Sequence, residues 1–210
     1  MRPGFFLAPG MRVGLFGGSF NPAHSGHALV AKTALTRLGL DQVLWLISPQ
    51  NPLKSADETA DLALRLGQTE NLVRGIMAGH AMKVSDFESR IGGRYTIDTL
   101  RALKARFPGV HFVWIMGADS LASLHRWRGW LQIMALVPVA VIARPGALIK
   151  SRLAPAAKRF GYARLPARAS SVLATQIAPA WTYLNVPLDF ASSSAIRAKH
   201  RAQAPSTEEP

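Results

Sequence analysis

The chain has 210 residues, 49% of them hydrophobic and 18% charged, enough apolar material for one compact α/β domain and too little length for two. It lacks cysteine, which excludes a disulfide framework and thiolate metal sites, and agrees with the cytoplasm. The formal net charge of +13 favours anionic partners, small or polymeric.

Residues 1–10, M-R-P-G-F-F-L-A-P-G, carry too short an apolar run for a signal peptide and read as an extension before a single domain spanning 11–201. The segment R-V-G-L-F-G-G-S-F-N-P-A-H-S-G-H, from Arg12 to His27, organises the rest of the chain. Val13, Leu15 and Phe16 form an apolar run that stops at Gly17 and Gly18, and after Pro22 the spacing becomes helical through Ala28, Leu29, Ala31, Ala34, Leu35 and Leu38. Strand, tight loop and helix are predicted. Glycine lets backbone approach a ligand, and a helix start offers N–H groups to anions, so a phosphate site is the functional reading. His24 and His27, three apart, present two imidazoles to the same region, although capping or solvation of the helix start would also explain them.

Gln42 to Ile47 is a continuous apolar run, as expected of a parallel strand covered on both faces, and it ends in the loop S-P-Q-N-P-L-K. Lys54 in that loop is either a cation reaching a phosphate or a surface lysine. Residues 61–78 have helical spacing interrupted at Gly67, which predicts a helix or a kinked pair. A short strand over Met82 to Ser85 leads into D-F-E-S-R-I-G-G-R-Y-T-I-D-T-L, where Thr96 or its neighbour can cap a helix that ends before Pro108-Gly109.

His111 to Met116 is the next buried strand and runs into G-A-D-S-L. That places Gly117 and Asp119 at a strand's carboxyl end, where Asp119 can bind ribose hydroxyls, help hold a metal, or cap the following helix. In H-R-W-R-G-W, Trp127 and Trp130 are core packing or a stacking surface for a flat ring. Val137 to Ala143 is a further strand whose first residues, around Pro138, fall outside the ladder. Residues 144–180 read as a variable basic connection with one short helix near 151–160, and Thr182 to Val186 as the last strand. A serine-rich turn then enters a helix, where Ser193, Ser194 and Arg197 make a second anion site, and residues 202–210 read as a disordered tail. Strand alternating with helix predicts a doubly wound parallel sheet.

The string G-G-S-F-N-P-A-H-S-G-H resembles the G-G-[ST]-F-[DN]-P-x-H-x-G-H signature of the HxGH nucleotidyltransferase superfamily, which implies a Rossmann-like, nucleotidyltransferase-type domain. With S-P-Q-N-P-L-K, R-Y-T-I-D-T-L, G-A-D-S-L and the terminal S-S-S-A-I-R in this order, the chain is similar to the nicotinate-nucleotide adenylyltransferase family from Met11 to about Arg197. The last motif reads A-S-S-S-A-I-R where I-S-S-T-x-I-R is the commoner family form, which keeps the hydroxyls.

That resemblance implies transfer of AMP from ATP to nicotinate mononucleotide, with Mg²⁺ bound through the ATP phosphates. It implies contacts to the triphosphate from His24 and His27 in the loop of Gly17, Gly18, Ser19 and Phe20, and to its β/γ end from Ser193, Ser194 and Arg197. Gly117 and Asp119 would lie along the ATP ribose, Tyr95, Thr96 and Trp127 would receive the nicotinate ring, and Lys54 would approach the mononucleotide phosphate. The rivals are sister adenylyltransferases acting on nicotinamide mononucleotide or phosphopantetheine. A dinucleotide-binding oxidoreductase is disfavoured because Gly14, Gly17 and Gly18 do not make G-x-G-x-x-G. A nucleic-acid-binding protein is disfavoured because the basic residues are scattered and no recognition motif is present, and no apolar run spans a membrane.

Overall fold

The computed structural model describes residues 5–49, 59–143, 151 and 153–186. Its centre is a parallel sheet of seven strands, β1 (Arg12–Gly18), β2 (Gln42–Ile47), β3 (Met82–Ser85), β4 (His111–Gly117), β5 (Val139–Ala143), β6 (Arg164–Leu165) and β7 (Trp181–Asn185), in the order β3-β2-β1-β4-β5-β7-β6. The central strands are apolar nearly throughout because both faces are covered. Val13 and Leu15 of β1, Leu44 and Leu46 of β2 and Trp114 of β4 enter one core, while Phe16, Trp45 and Ile115 of the same strands enter the other.

The first core is covered by α3 (Phe87–Arg90), α4 (Thr96–Arg106), α5 (Ala118–Ser123), α6 (Trp130–Leu136) and α7 (Pro155–Arg159), whose Ile97, Leu100, Leu121, Ile133 and Ala156 are buried there. The second is covered by α1 (Ser25–Arg37) and α2 (Leu62–Arg74), with a 3-10 segment over Ala167–Thr175 that buries Leu173 and Ala174. Two helical layers around one sheet is the doubly wound, Rossmann-like α/β arrangement.

Several local features decide between or add to the sequence expectations. The helix α2 runs unbroken through Gly67, where an added Cβ would meet nothing within 4 Å, so the glycine costs helix propensity without kinking the helix. At α4 the N-cap position falls to the neighbour of Thr96, Tyr95, and at α5 to Gly117 rather than Asp119, and neither helix start has a side-chain cap bond. The 144–180 connection holds β6 and the 3-10 segment besides the short helix α7. Residues 5–10, read as an extension, pack on the domain: Leu7 is buried, the Phe5 ring lies 6.1 Å from that of Phe87 and 5.7 Å from that of Phe107, and Gly10 donates its N–H to the Gly109 carbonyl at 2.8 Å. Among the described residues, no helix is long and apolar enough to cross a membrane.

Candidate active site

The chain runs from β1 outward through β2 to the edge strand β3, then returns to β4 on the other side of β1. The strand order therefore reverses between β1 and β4, and in an open parallel sheet the loops leaving such a pair open a crevice at their carboxyl ends. Gly17 and Gly18 end β1 and residues 19–24 follow it there, and Gly117 closes β4 with Asp119 in the first turn of α5. The first motif and G-A-D-S-L, about a hundred residues apart, thus meet at adjacent strand ends.

The loop after β1 is shaped by aromatic packing. A Cβ on Gly17 would run into the ring of Trp114, and one on Gly18 would come within 3.1 Å of the Phe20 ring. Gly17 is therefore demanded by a neighbouring side chain, whereas a Cβ on Gly18 would require the Phe20 ring to give by a few tenths of an ångström. Phe20 holds a left-handed φ of 43°, uncommon and strained for a residue with a Cβ. Burial of its ring against Phe16, Trp45 and His27, with centroid separations of 5.2, 5.1 and 5.0 Å, offsets that strain.

His24 does not sit inside the helix but caps it. Its Nδ1 accepts the backbone N–H of Gly26 at 3.1 Å, while Nδ1 of His27 accepts the backbone N–H of His24 at 3.3 Å. The two rings lie with centroids 3.9 Å apart and planes inclined by 40°. Since each Nδ1 is an acceptor, each neutral imidazole carries its proton on Nε2, so the caps fix two N–H donors of known tautomer. The first turn of α1 contains no acidic residue, so its positive dipole end adds to their attraction for an anion.

On the other layer, Tyr95 and Thr96 begin α4, and the turn carrying Trp127 lies beside them. The Arg128 guanidinium sits 4.7 Å over the Tyr95 ring, and a Cβ on Gly129 would be 3.4 Å from Ile97. Tyr95 and Trp127 are half-buried and pack on the same core cluster. Asp119 is exposed at the start of α5, its carboxylate folded over Gly117 so closely that a Cβ there would collide with it. Lys54, Ser193, Ser194 and Arg197 lie outside the described residues. A shallow groove beside β3, lined by Glu70, Arg74, His80 and Lys83 among others, contains none of the predicted site residues.

Two residues escaped the sequence reading. Arg65 of α2 is buried and bonds carbonyls of the loops after β1 and β2. The available signal was its position on the inward stripe Arg65, Thr69 and Val73 of α2. Glu88 is buried in α3, where desolvation pushes its carboxyl up to about 7 against the opposing effect of a 3.2 Å hydrogen bond from the Thr99 hydroxyl.

Residues 15–199 match the model of the cytidylyltransferase-like family. The chain is 63% identical over 189 residues to a protein of Caulobacter sp. (strain K31) named a probable nicotinate-nucleotide adenylyltransferase, covering 90% of this chain and 98% of that one. It is 50% identical over 200 residues to a Roseobacter denitrificans protein of the same name, covering 95% and 98% of the two chains. In fold it is similar to the Plasmodium falciparum nicotinic acid mononucleotide adenylyltransferase solved with NaAD, with a TM-score of 0.68 at 19% identity over 89% of this chain and 82% of that one. The chain belongs to the cytidylyltransferase-like family and, within it, to the nicotinate-nucleotide adenylyltransferases.

Proposed function

We infer that this protein joins nicotinate mononucleotide to the AMP part of ATP, giving nicotinate adenine dinucleotide and pyrophosphate, a step of NAD biosynthesis. Membership of the family named for that reaction supports the reading. So does one observation in the fold: the paired His24 and His27 imidazoles stand at the carboxyl end of the strand where the sheet order reverses. A cytoplasmic location fits a cysteine-free chain acting on nucleotides.

A mononucleotide phosphate oxygen forms a bond to the α-phosphorus of ATP, the bond to the β-phosphate oxygen breaks, and its electron pair leaves with pyrophosphate. The attacking group is already an anion, so the protein's task is alignment and stabilisation of charge rather than proton removal. The Nε2–H groups of His24 and His27 suit that task, with His27 acting on the α-phosphate and the start of α1 adding its dipole. Arg197, with Ser193 and Ser194, is assigned to the β/γ end by the family motif. Gly117 and Asp119 are assigned to the ATP ribose, Tyr95, Thr96 and Trp127 to the nicotinate ring, and Lys54 to the mononucleotide phosphate.

Asp119 offers a hard oxygen donor at the same edge, of the kind that suits hydrated Mg²⁺. When bound to the triphosphate, Mg²⁺ supplies neutralisation of the charge that passes to pyrophosphate. The test is pyrophosphate release from ATP and Mg²⁺ with nicotinate or nicotinamide mononucleotide. Release is expected with the acid in preference to the amide, and release with neither would overturn the reading.

A further inference from the structure

Arg65 is 1% exposed, and its guanidinium donates four hydrogen bonds, all to backbone carbonyls. Nε reaches Ala60 at 2.8 Å, Nη1 reaches Ser19 at 2.9 Å and Ser48 at 2.7 Å, and Nη2 reaches Pro49 at 2.8 Å. Ala60 precedes α2, but the other three carbonyls belong to the two loops that leave β1 and β2 at the ligand edge.

The clamp sits where the strand pairing ends. The last backbone bond between those strands is Ser48 N–H to the Gly18 carbonyl at 3.0 Å. Just beyond that bond, the carbonyls of Ser19 and of Ser48 itself both accept from the same Nη1, so the guanidinium provides the next rung where the backbone ladder has stopped. Two carbonyls facing one another cannot pair, and a planar fork of fixed donors is the side chain that can hold several at once. A lysine ammonium on a flexible stem does not reproduce that geometry. Burying a charge is costly, and the carbonyl dipoles together with the attraction of the Asp61 carboxylate offset part of that cost, which points to a role for the charge beyond filling space.

We propose that Arg65 is a positioning residue that fixes the spacing of the loop after β1 relative to the loop after β2, and thereby aligns the two substrates held on them. This rests on the proposed adenylyl transfer, in which the triphosphate lies on the first loop and the mononucleotide phosphate approaches the second. Arg65 touches neither substrate. Misalignment of reacting groups by about an ångström can lower a rate about a hundredfold while each substrate still binds its own loop.

The experiment compares wild type with R65K and R65M, measuring melting temperature, turnover per folded enzyme, and calorimetric binding of ATP and of nicotinate mononucleotide separately. In R65K, turnover is expected to fall about tenfold or more while the affinity for each substrate alone stays within about threefold of wild type. R65K serves where R65M fails to fold. Turnover of folded R65K within about threefold of wild type would overturn the proposal, as would a loss that tracks weakened binding of either substrate or loss of folded protein. A wild-type enzyme that releases no pyrophosphate with either mononucleotide would instead overturn the functional reading.

Discussion

The backbone N–H of His24 donates to Nδ1 of His27 at 3.3 Å, so the two histidines of the first motif are coupled before any ligand arrives. The ring of His24 in turn caps α1 through Gly26, and the ring of His27 lies edge-on to Phe20. A polar cap and an aromatic contact therefore fix both imidazoles in place, which is the preorganisation that charge stabilisation in a transition state requires.

His24 has two separable duties. His24→Ala removes the cap acceptor, which is expected to cost about 1 kcal/mol and lower the melting temperature by about 2–4 °C in a chain of this size. His24→Asn keeps a short cap acceptor and should melt within about 2 °C of wild type, because Asn is among the best N-cap residues. Both should lose turnover by about tenfold or more, since neither retains the Nε2–H donor. Full activity of His24→Asn alongside its stability would show that capping alone is the role.

Gly17 and Trp114 are matched across adjacent strands. Gly17→Ala is expected to destabilise by about 1–3 kcal/mol because the new methyl overlaps the indole. Trp114→Phe removes the ring atoms that collide, so the double variant should be more stable than the sum of the single changes predicts, by about 0.5 kcal/mol or more in a double-mutant cycle. Chemical denaturation of the four proteins checks this, and strict additivity would place the methyl elsewhere.

Glu88 gives a pH signature. Its folded pKa, about 7, is raised by burial above the ordinary 4.5, so between those values the folded state holds a proton that the unfolded state has released. Its contribution is whole below about pH 4.5 and falls as pH rises toward 7, by about 3 kcal/mol in total. Glu88→Gln keeps an oxygen for the Thr99 hydroxyl and should flatten that slope. Denaturation midpoints at pH 5 and pH 7.5 measure it; equal pH dependence in the two proteins would contradict a buried, protonated carboxyl.

How much of this was legible in the sequence depended on how local the cause is. Continuous apolar runs such as Q-V-L-W-L-I announce strands covered on both faces, and Gln42–Ile47 is one. The two residues of β6 carry no such pattern, and the 3-10 segment buries only Ser170, Leu173 and Ala174 of its nine residues, so neither shows periodicity. Gly67 leaves a helix or a kinked pair open because glycine has low propensity, and the buried face of α2, with Arg65, Thr69 and Val73, keeps the helix continuous.

At the site, G-G-S-F-N-P-A-H-S-G-H identified the strand, loop and helix because glycine, imidazole and helix start are neighbours in sequence. What demands Gly17 was hidden, since Trp114 lies on another strand. Arg65 was hidden for the same reason: its carbonyl partners Pro49, Ser48 and Ser19 are 16, 17 and 46 positions away.

The most direct measurement is the steady-state turnover of His27→Ala in pyrophosphate release from ATP and nicotinate mononucleotide. Turnover should fall by about a hundredfold or more while KM for ATP changes by less than about threefold, because the imidazole acts on charge that develops at phosphorus. Turnover equal to that of wild type would contradict the role of the histidine pair.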